Sequence, residues 1–341
     1  MPNPVRIIIL PLFYLCNARC KMCNIWMEPG VPRWEPAALR QVLSTPALSE
    51  NVEVVNVTGG EPTLRKDLLE VVQAIVESLK ALHTLSVQTH GLNPPLVKAR
   101  IGPIAEWIKD LGRTGRKIHL DINISLDGPD GIHDEVRGRK GAFKSVLESL
   151  EIARSLLNNC DHSAIMFNCT IVRQNVLHLR ETQKIADELG VEMTYTVPQV
   201  TDTYMANAAT KDQFSLSETD RLEACTFLKE LLDGTQGSTS MSRRYCSMLI
   251  GLLETGKRNI GCPLAEGGLF LEPDGRALPC WRSSSLLLGN VLQDSIPSLL
   301  EARAEPEYME KLETLCSDCP SNCYVDWTRR MFARRIALGA V

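Results

Sequence analysis

Between residues 5 and 198 the chain alternates two kinds of segment, and this rhythm limits the folds open to it. Short apolar, β-branched runs fall at about 5–12, 52–58, 84–90, 119–126, 164–172 and 192–198. Between them, at 34–44, 67–82, 94–111, 142–158 and 176–189, apolar residues recur at helical spacing. Asn175 is placed to cap the last helix and Gly190 to end it. Strands that alternate with helices predict a parallel sheet, and right-handed crossovers curl it into a partial barrel.

The strand pattern also assigns faces. In residues 119–127 the odd positions from Asp121 are polar (Asn123, Ser125, Asp127) and the even ones apolar, and successive side chains point to opposite faces. Asn56, Thr58, Ser86, Gln88, His90, Asn168, Thr170, Glu192, Thr194 and Thr196 repeat the polar set. A sealed barrel is filled with Val, Ile and Leu, so a polar inner face predicts an open barrel holding a polar ligand. The competing reading, a solvated outer face, fits poorly because helices cover the other face of central parallel strands. By facing alone, Asp121, Asn123 and Glu192 are candidate substrate contacts.

The first strand runs into Cys16-Asn-Ala-Arg-Cys20-Lys-Met-Cys23. A loop this short aims three thiolates at one group of irons and cannot easily supply a fourth. Iron–sulfur clusters are normally held by four Cys, so one iron is left open to a chelating ligand. A zinc knuckle needs a second pair or a His, and the first His is His83.

With Met22 and Trp26 around it, this motif resembles the signature of the radical SAM superfamily. Gly59-Gly60-Glu61-Pro62, then Ser125-Leu-Asp127-Gly128, His133-Asp134 and Arg137-Gly138, resemble its next landmarks in order. The resemblance spans residues 5 to about 200. It implies a six-stranded partial (β/α)6 TIM-like barrel and a [4Fe–4S] cluster on Cys16, Cys20 and Cys23. S-adenosylmethionine (SAM) would bind the open iron through its amino and carboxylate groups. Reductive cleavage would give a 5′-deoxyadenosyl radical that abstracts a substrate hydrogen. A flavodoxin- or ferredoxin-type donor would supply the electron. Gly59 and Gly60 would let backbone approach the methionine amino group, with Glu61 accepting from it. Ser125, Asp127, Arg137 and His90 would line the cofactor rim, Arg137 pairing with the carboxylate, and Val172 would pack on adenine. For Val172 and His90 a plain structural role competes.

Residues 201–260 break the rhythm. Segment 201–212 is loop-like, 216–232 is helical with Ser217 as cap, 233–240 is a Gly/Ser/Thr-rich linker, and 243–253 is a short helix. This divides the chain into a barrel (1–200), a helical bridge (201–260) and a tail domain (261–341). In the tail, 270–280 reads as a hairpin turning at Asp274-Gly275, among the cysteines Cys262, Cys280, Cys316, Cys319 and Cys323. Four thiolates suit zinc or an iron–sulfur cluster equally. Cys262…Gly275-x4-Cys280 with Leu288-Gly-Asn290 resembles the twitch/SPASM extension of radical SAM enzymes. Five Cys, where a full SPASM extension has seven, imply one auxiliary [4Fe–4S] cluster on Cys262, Cys280, Cys316 and Cys319, with Cys323 free or replacing one of the last pair. Cys160, Cys169 and Cys225, scattered singly, read as buried thiols. Cys246 and Cys323 are the candidate hydrogen-atom donors. Arg329, Arg330, Arg334 and Arg335 read as a solvated helix face, with a phosphate-bearing substrate as the sharper alternative.

Of 341 residues, 44% are apolar and 23% charged, ordinary for a soluble globular protein, and a net charge of −4 argues against nucleic-acid binding. No run is long enough to span a membrane and no secretion signal is evident, so the expectation is a cytoplasmic protein whose twelve Cys are ligands or reduced thiols. An auxiliary cluster can accept the electron of a substrate radical. The resemblance therefore favours an oxidoreductase or epimerase of a small polar metabolite (sugar, aminocyclitol or nucleoside, as in antibiotic biosynthesis). The barrel starts at residue 5, which disfavours a leader-binding maturase forming thioether or C–C bonds in a ribosomal peptide. Radical C–C bond formation on a sugar or nucleoside and a zinc-stabilised binding protein are the remaining alternatives.

Overall fold

The structure, a computed structural model, describes residues 3–27, 32–158, 160, 162–202, 204–234, 243–282 and 284–320. Strands β1 (Ile7–Pro11), β2 (Val54–Thr58), β3 (Thr84–Thr89), β4 (His119–Ser125), β5 (Ser163–Thr170) and β6 (Glu192–Thr196) lie side by side in sequence order, all parallel. This is the six-stranded partial barrel expected from the alternation. Beyond β1 the sheet continues. β7 (Gly268–Leu271) pairs parallel to β1, and β8 (Arg276–Leu278) and β9 (Gly289–Asn290) follow antiparallel. The expected hairpin is present, with Gly275 at φ +87° in its turn.

Register shows what each face does. Asn56 is opposite Ser86, Ser86 opposite Asp121, Gln88 opposite Asn123, and Asn168 opposite Ser125 and Thr194. Partners in a parallel ladder share a face, so the polar positions form one continuous surface. The intervening Val55, Val57, Leu85, Val87, Ile122, Ile124 and Phe167 are fully enclosed with helix residues such as Val72, Ile75, Ile104, Val146 and Leu150. Each such side chain contributes about 1.5–3 kcal/mol, so this face fixes the helices and leaves the polar face inward. On that face Asn123 donates to Ser86 (2.7 Å) and Asn168 to Gln88 (3.2 Å). Asn56, Thr58, Gln88, Asn168, Thr170, Thr194 and Thr196 keep partial solvent exposure, as an open interior requires.

Ser217 caps the helix Glu218–Asp233 with a reciprocal bond pair to Asp220. Asn175 differs from expectation. Its side chain makes no cap bond, and the chain passes through a 3₁₀ turn before the helix Leu179–Glu188. Its Oδ1 instead accepts from Val172 N (2.8 Å), and its Nδ2 donates to the carbonyls of Asp127 (2.8 Å) and Thr170 (2.9 Å). A helix at Asp130–Arg137 was not legible, because its residues are mostly polar. No helix of the described residues is long and apolar enough to cross a membrane.

Candidate metal centre

The loop after β1 carries Cys16, Cys20 and Cys23, each half-exposed. Three segments clamp its backbone. From the turn after β2, Gly60 N donates to Phe13 O (2.8 Å) and Glu61 N to Leu15 O (3.0 Å). From the end of helix Asp130–Arg137, the carbonyls of Arg137 and Val136 accept from Arg19 N (3.2 Å) and Lys21 N (2.9 Å). From the bridge, Met205 O accepts from Asn24 N (2.8 Å).

Two glycines make the clamp possible. A Cβ on Gly60 would lie 2.0 Å from Leu15 O, and one on Gly138, at φ +62°, 2.2 Å from Arg19 O. No side chain fits either approach.

Behind the loop, Glu61 is buried. Its Oε1 accepts from Thr63 N, Thr63 Oγ1 and Thr89 Oγ1 at 3.1, 2.7 and 2.8 Å, and its Oε2 from His90 N at 2.8 Å. The expected ammonium contact therefore has only Oε2 with room for a further donor. His90 Nδ1 accepts from Leu92 N (2.9 Å), so Nε2 carries the proton and donates to Asn17 Oδ1 (2.6 Å). Burial lowers the pKa of His90 and keeps it neutral. His90 thus anchors the thiol loop itself.

Asp127 is fully enclosed. It accepts from Thr170 N (2.9 Å) and from the guanidinium of Arg137, whose Nη1 lies 3.5 Å from Cys20 Sγ. Burial opposes the charge of Arg137, but Asp127 and Cys20 outweigh it and raise its pKa. Arg137 here meets Asp127 and the Cys20 sulfur. Val172, also enclosed, packs with Met22, Val136 and Phe214. Ser125 ends β4 half-exposed.

The substrate guesses fare differently. Asn123 is tied to Ser86, and Asp121 lies 3.0 Å from His119 Nε2 in the lower half of β4. Glu192 is exposed at the start of β6, the end of the sheet away from the thiol loop. Cys246 is corrected. It is buried between helices Glu218–Asp233 and Arg243–Thr255 with Sγ against Leu228 O (3.4 Å), without the accessible thiol that a hydrogen-atom donor needs. Cys323 and the four terminal arginines lie outside the described residues.

Sequence reasoning missed the bridge. Asn207, fully buried, donates to Met22 O (2.8 Å) and Gln199 O (2.9 Å) and accepts from Thr201 N (2.9 Å). Asn24 donates to Ala206 O and to Thr210 Oγ1, and Ala206 has a rare positive φ of 48°. Residues on both sides of Cys23 are therefore held by the 199–210 segment. Tyr204 adds a contact to Thr58 Oγ1 (3.1 Å). It also meets Phe270 edge-on (5.2 Å), and Phe270 in turn lies 6.1 Å from Trp281, beside Cys280, in a tilted pair. Aromatics adjacent to each Cys group, Tyr14 and Trp281, were the available signal.

The loop suits a cluster. Cys16, Cys20 and Cys23 are near enough to repel one another as thiolates, and burial pushes Cys16 and Cys23 up to about 12. Such thiols hold their protons until a metal displaces them. Among the described residues no three His, Cys, Asp or Glu gather tightly enough for a single ion. A four-iron cube takes its thiolates from farther apart than one zinc ion does.

Comparison with known proteins agrees. Residues 10–183 match the radical SAM superfamily. Molybdenum cofactor biosynthesis protein 1 of Bos taurus is 31% identical over 163 residues, 46% of this chain and 23% of that protein. Mycofactocin maturase MftC of Mycolicibacterium smegmatis is 29% identical over 190 residues, 54% and 42% of the two chains. These matches therefore take in less than half the length of either relative. Among solved structures, Streptococcus suis SuiB bound to S-adenosylmethionine superposes with TM-score 0.63 at 12% identity, covering 96% of this chain and 75% of that one. Native anSMEcpe with bound AdoMet gives 0.60 at 17% identity, covering 98% and 97%. The chain belongs to the radical SAM superfamily. It is an enzyme of that superfamily, whose members use a [4Fe–4S] cluster and SAM.

Proposed function

We propose that this enzyme oxidises or epimerises a small, uncharged, polyhydroxylated metabolite, with a second, auxiliary [4Fe–4S] cluster in a twitch-type tail. The observation that carries the reading is the inner face of the sheet. Amides and hydroxyls line it from β2 to β6, and its buried charges, Asp121 and Glu272, have partners in His119 and in Tyr14 and Arg276. Such a lining rewards a ligand with many neutral donors and acceptors and, among the described residues, offers a phosphate no unpaired cation.

The tail thiols support the auxiliary cluster. Cys262 and Cys316 are hydrogen-bonded, and Cys280 and Cys319 are close enough to raise the pKa of Cys316 further. Cys262, Cys280 and Cys316 pack on the same apolar group, with Ile9, Tyr204 and Phe270, that receives Cys16 and Cys23. Beside Cys280, the buried indole Nε1 of Trp281 has no acceptor among the described residues, and an N–H of this kind can donate to a cluster sulfide. Arg303 donates to the carbonyls of Leu264, Ala265 and Gly268 and fixes the segment after Cys262. The division at about residues 200 and 260 is part of this proposal.

Cys16, Cys20 and Cys23 would hold the first cluster, which with SAM supplies a carbon radical able to take hydrogen from an unactivated C–H. The protein's own part is placement. Glu61 and His90 fix the loop, Arg137 sets a positive charge at Cys20, and the polar face orients the substrate carbon while the enclosing walls limit water.

A peptide substrate is the second reading. It is favoured by neighbours solved with precursor peptide SuiA and with the Cp18Cys peptide. Anaerobic protein supplied with SAM, a strong reductant and panels of neutral polyols or peptides tests both. Substrate-dependent 5′-deoxyadenosine with polyols supports the first, and with peptides alone supports the second.

A further inference from the structure

We propose that Arg282 sets the electron affinity of the auxiliary cluster by donating a charged hydrogen bond to one of its ligand sulfurs. The inference rests on the proposed assignment of that cluster to Cys262, Cys280, Cys316 and Cys319.

Arg282 lies just past Cys280 and reaches across to the turn that carries the last two thiols. Its Nη1 donates to the carbonyl of Leu315 (2.6 Å), the residue before Cys316. Its Nη2 pairs with Oδ1 of Asp318 (2.6 Å), the residue before Cys319. The same guanidinium is hydrogen-bonded to the buried Cys319 itself. An Arg side chain keeps its proton in proteins, so this charge is fixed.

Holding the turn does not account for the contact with sulfur, because Arg258 already holds it. Arg258 N donates to Ser317 O (2.6 Å) and Nη1 to Cys319 O (3.1 Å), while Nε donates to Ile260 O (3.0 Å) on the segment leading to Cys262.

The first thiol loop gives the contrast. There Arg137 also meets a ligand sulfur, that of Cys20, but the fully enclosed Asp127 pairs with the guanidinium and offsets its charge. Asp318 is 60% exposed, so water screens it and leaves the charge of Arg282 largely uncancelled at Cys319. Arg303 adds a second, buried cation that interacts with Cys262 and Cys280, and its own bonds go to the carbonyls of Leu264, Ala265 and Gly268 rather than to a carboxylate. Reduction gives the cluster one electron from the reductant and so one more negative charge. A fixed cation bonded to a ligand sulfur favours that reduced form and raises the potential.

Redox titration of the anaerobic holoenzyme, read by EPR, follows this cluster as the signal that SAM leaves unchanged. Arg282→Gln is expected to lower the equilibrium constant for its reduction about 10-fold, ~59 mV for one electron. Asp318→Asn is expected to raise it about 2-fold. The SAM-responsive signal should keep its midpoint in both. The two substitutions break the same ion pair, so a mere anchor of the turn would shift the midpoint the same way in both, or cost both the cluster. Opposite signs are the mark of charge at the sulfur. An unchanged or raised midpoint in Arg282→Gln overturns the proposal. So does an unchanged or lowered midpoint, or a lost cluster, in Asp318→Asn, which decides alone where Arg282→Gln binds no second cluster. If the parent protein holds about four irons and shows no SAM-insensitive signal, the auxiliary-cluster reading has failed instead.

Discussion

The two cysteine groups are built in opposite ways. The first comes from eight consecutive residues, and neighbouring segments hold its backbone at both ends and in the middle. The second draws Cys262, Cys280, Cys316 and Cys319 from the cap of a short helix, a position two residues past β8, and a helix end with the turn after it, spread over nearly sixty residues. A short local loop supplies three ligands and leaves a corner free, whereas distant segments can close around all four corners. In the reading proposed above, one group would admit a ligand and the other would exclude one.

Removing each group in turn should break this symmetry most sharply. Replacing Cys16, Cys20 and Cys23 with Ala is expected to abolish SAM cleavage while about four of about eight irons remain. Replacing Cys280 and Cys316 should lose the other four and leave SAM cleavage intact. Iron, sulfide and 5′-deoxyadenosine assays on both variants decide it.

A smaller effect separates the clamps. Gly60→Ala, with its Cβ 2.0 Å from Leu15 O, should displace the first loop and lower cluster occupancy several-fold. Gly115→Ala, at φ +96° but with nothing within 4 Å, should cost only about 1–2 kcal/mol of backbone strain and leave both clusters full. Thermal unfolding and iron content report the two outcomes.

Next comes the bridge. Asn207→Ala strands the carbonyls of Met22 and Gln199 and the N–H of Thr201. A loss of about 2–3 kcal/mol is expected, felt at the first cluster and not at the second. Faster chelator-driven bleaching of the SAM-responsive signal alone is the measurement.

The smallest effect is on pH. His133 is buried, and its Nδ1 accepts from Asp127 N (3.0 Å). Burial lowers its pKa from 6.5 to about 4. Between those values the unfolded chain binds the extra proton, so the stability is present above pH 6.5 and declines as pH falls toward 4. Urea midpoints at pH 7 and pH 5 should show a loss of order 1–2 kcal/mol, reduced in His133→Gln.

Much of this comparison was legible beforehand. Apolar, β-branched runs marked each barrel strand to within a few residues, and alternation from β2 onward assigned the faces, because buried sheet faces tolerate no register slip. The first thiol loop was legible because all its ligands are adjacent in sequence. The pairing of β1 with β7, residue 7 beside residue 268, leaves no local trace. Helix Asp130–Arg137 offers little apolar periodicity, so its role as a clamp was hidden. Asn175 has the chemistry of a cap and was read as one, but tertiary contacts to Val172 and Asp127 took its side chain. The polar bridge likewise acts through backbone carbonyls, which no side-chain pattern records.

The open corner can be observed directly. In the variant lacking Cys262, Cys280, Cys316 and Cys319, reduced anaerobically, electron–nuclear double resonance with ¹⁵N-amino-labelled SAM isolates the first cluster. Coupling between the label and the cluster spin is the predicted result. An intact, reducible cluster whose spectrum is unchanged by SAM and shows no such coupling would mean that its fourth corner is closed.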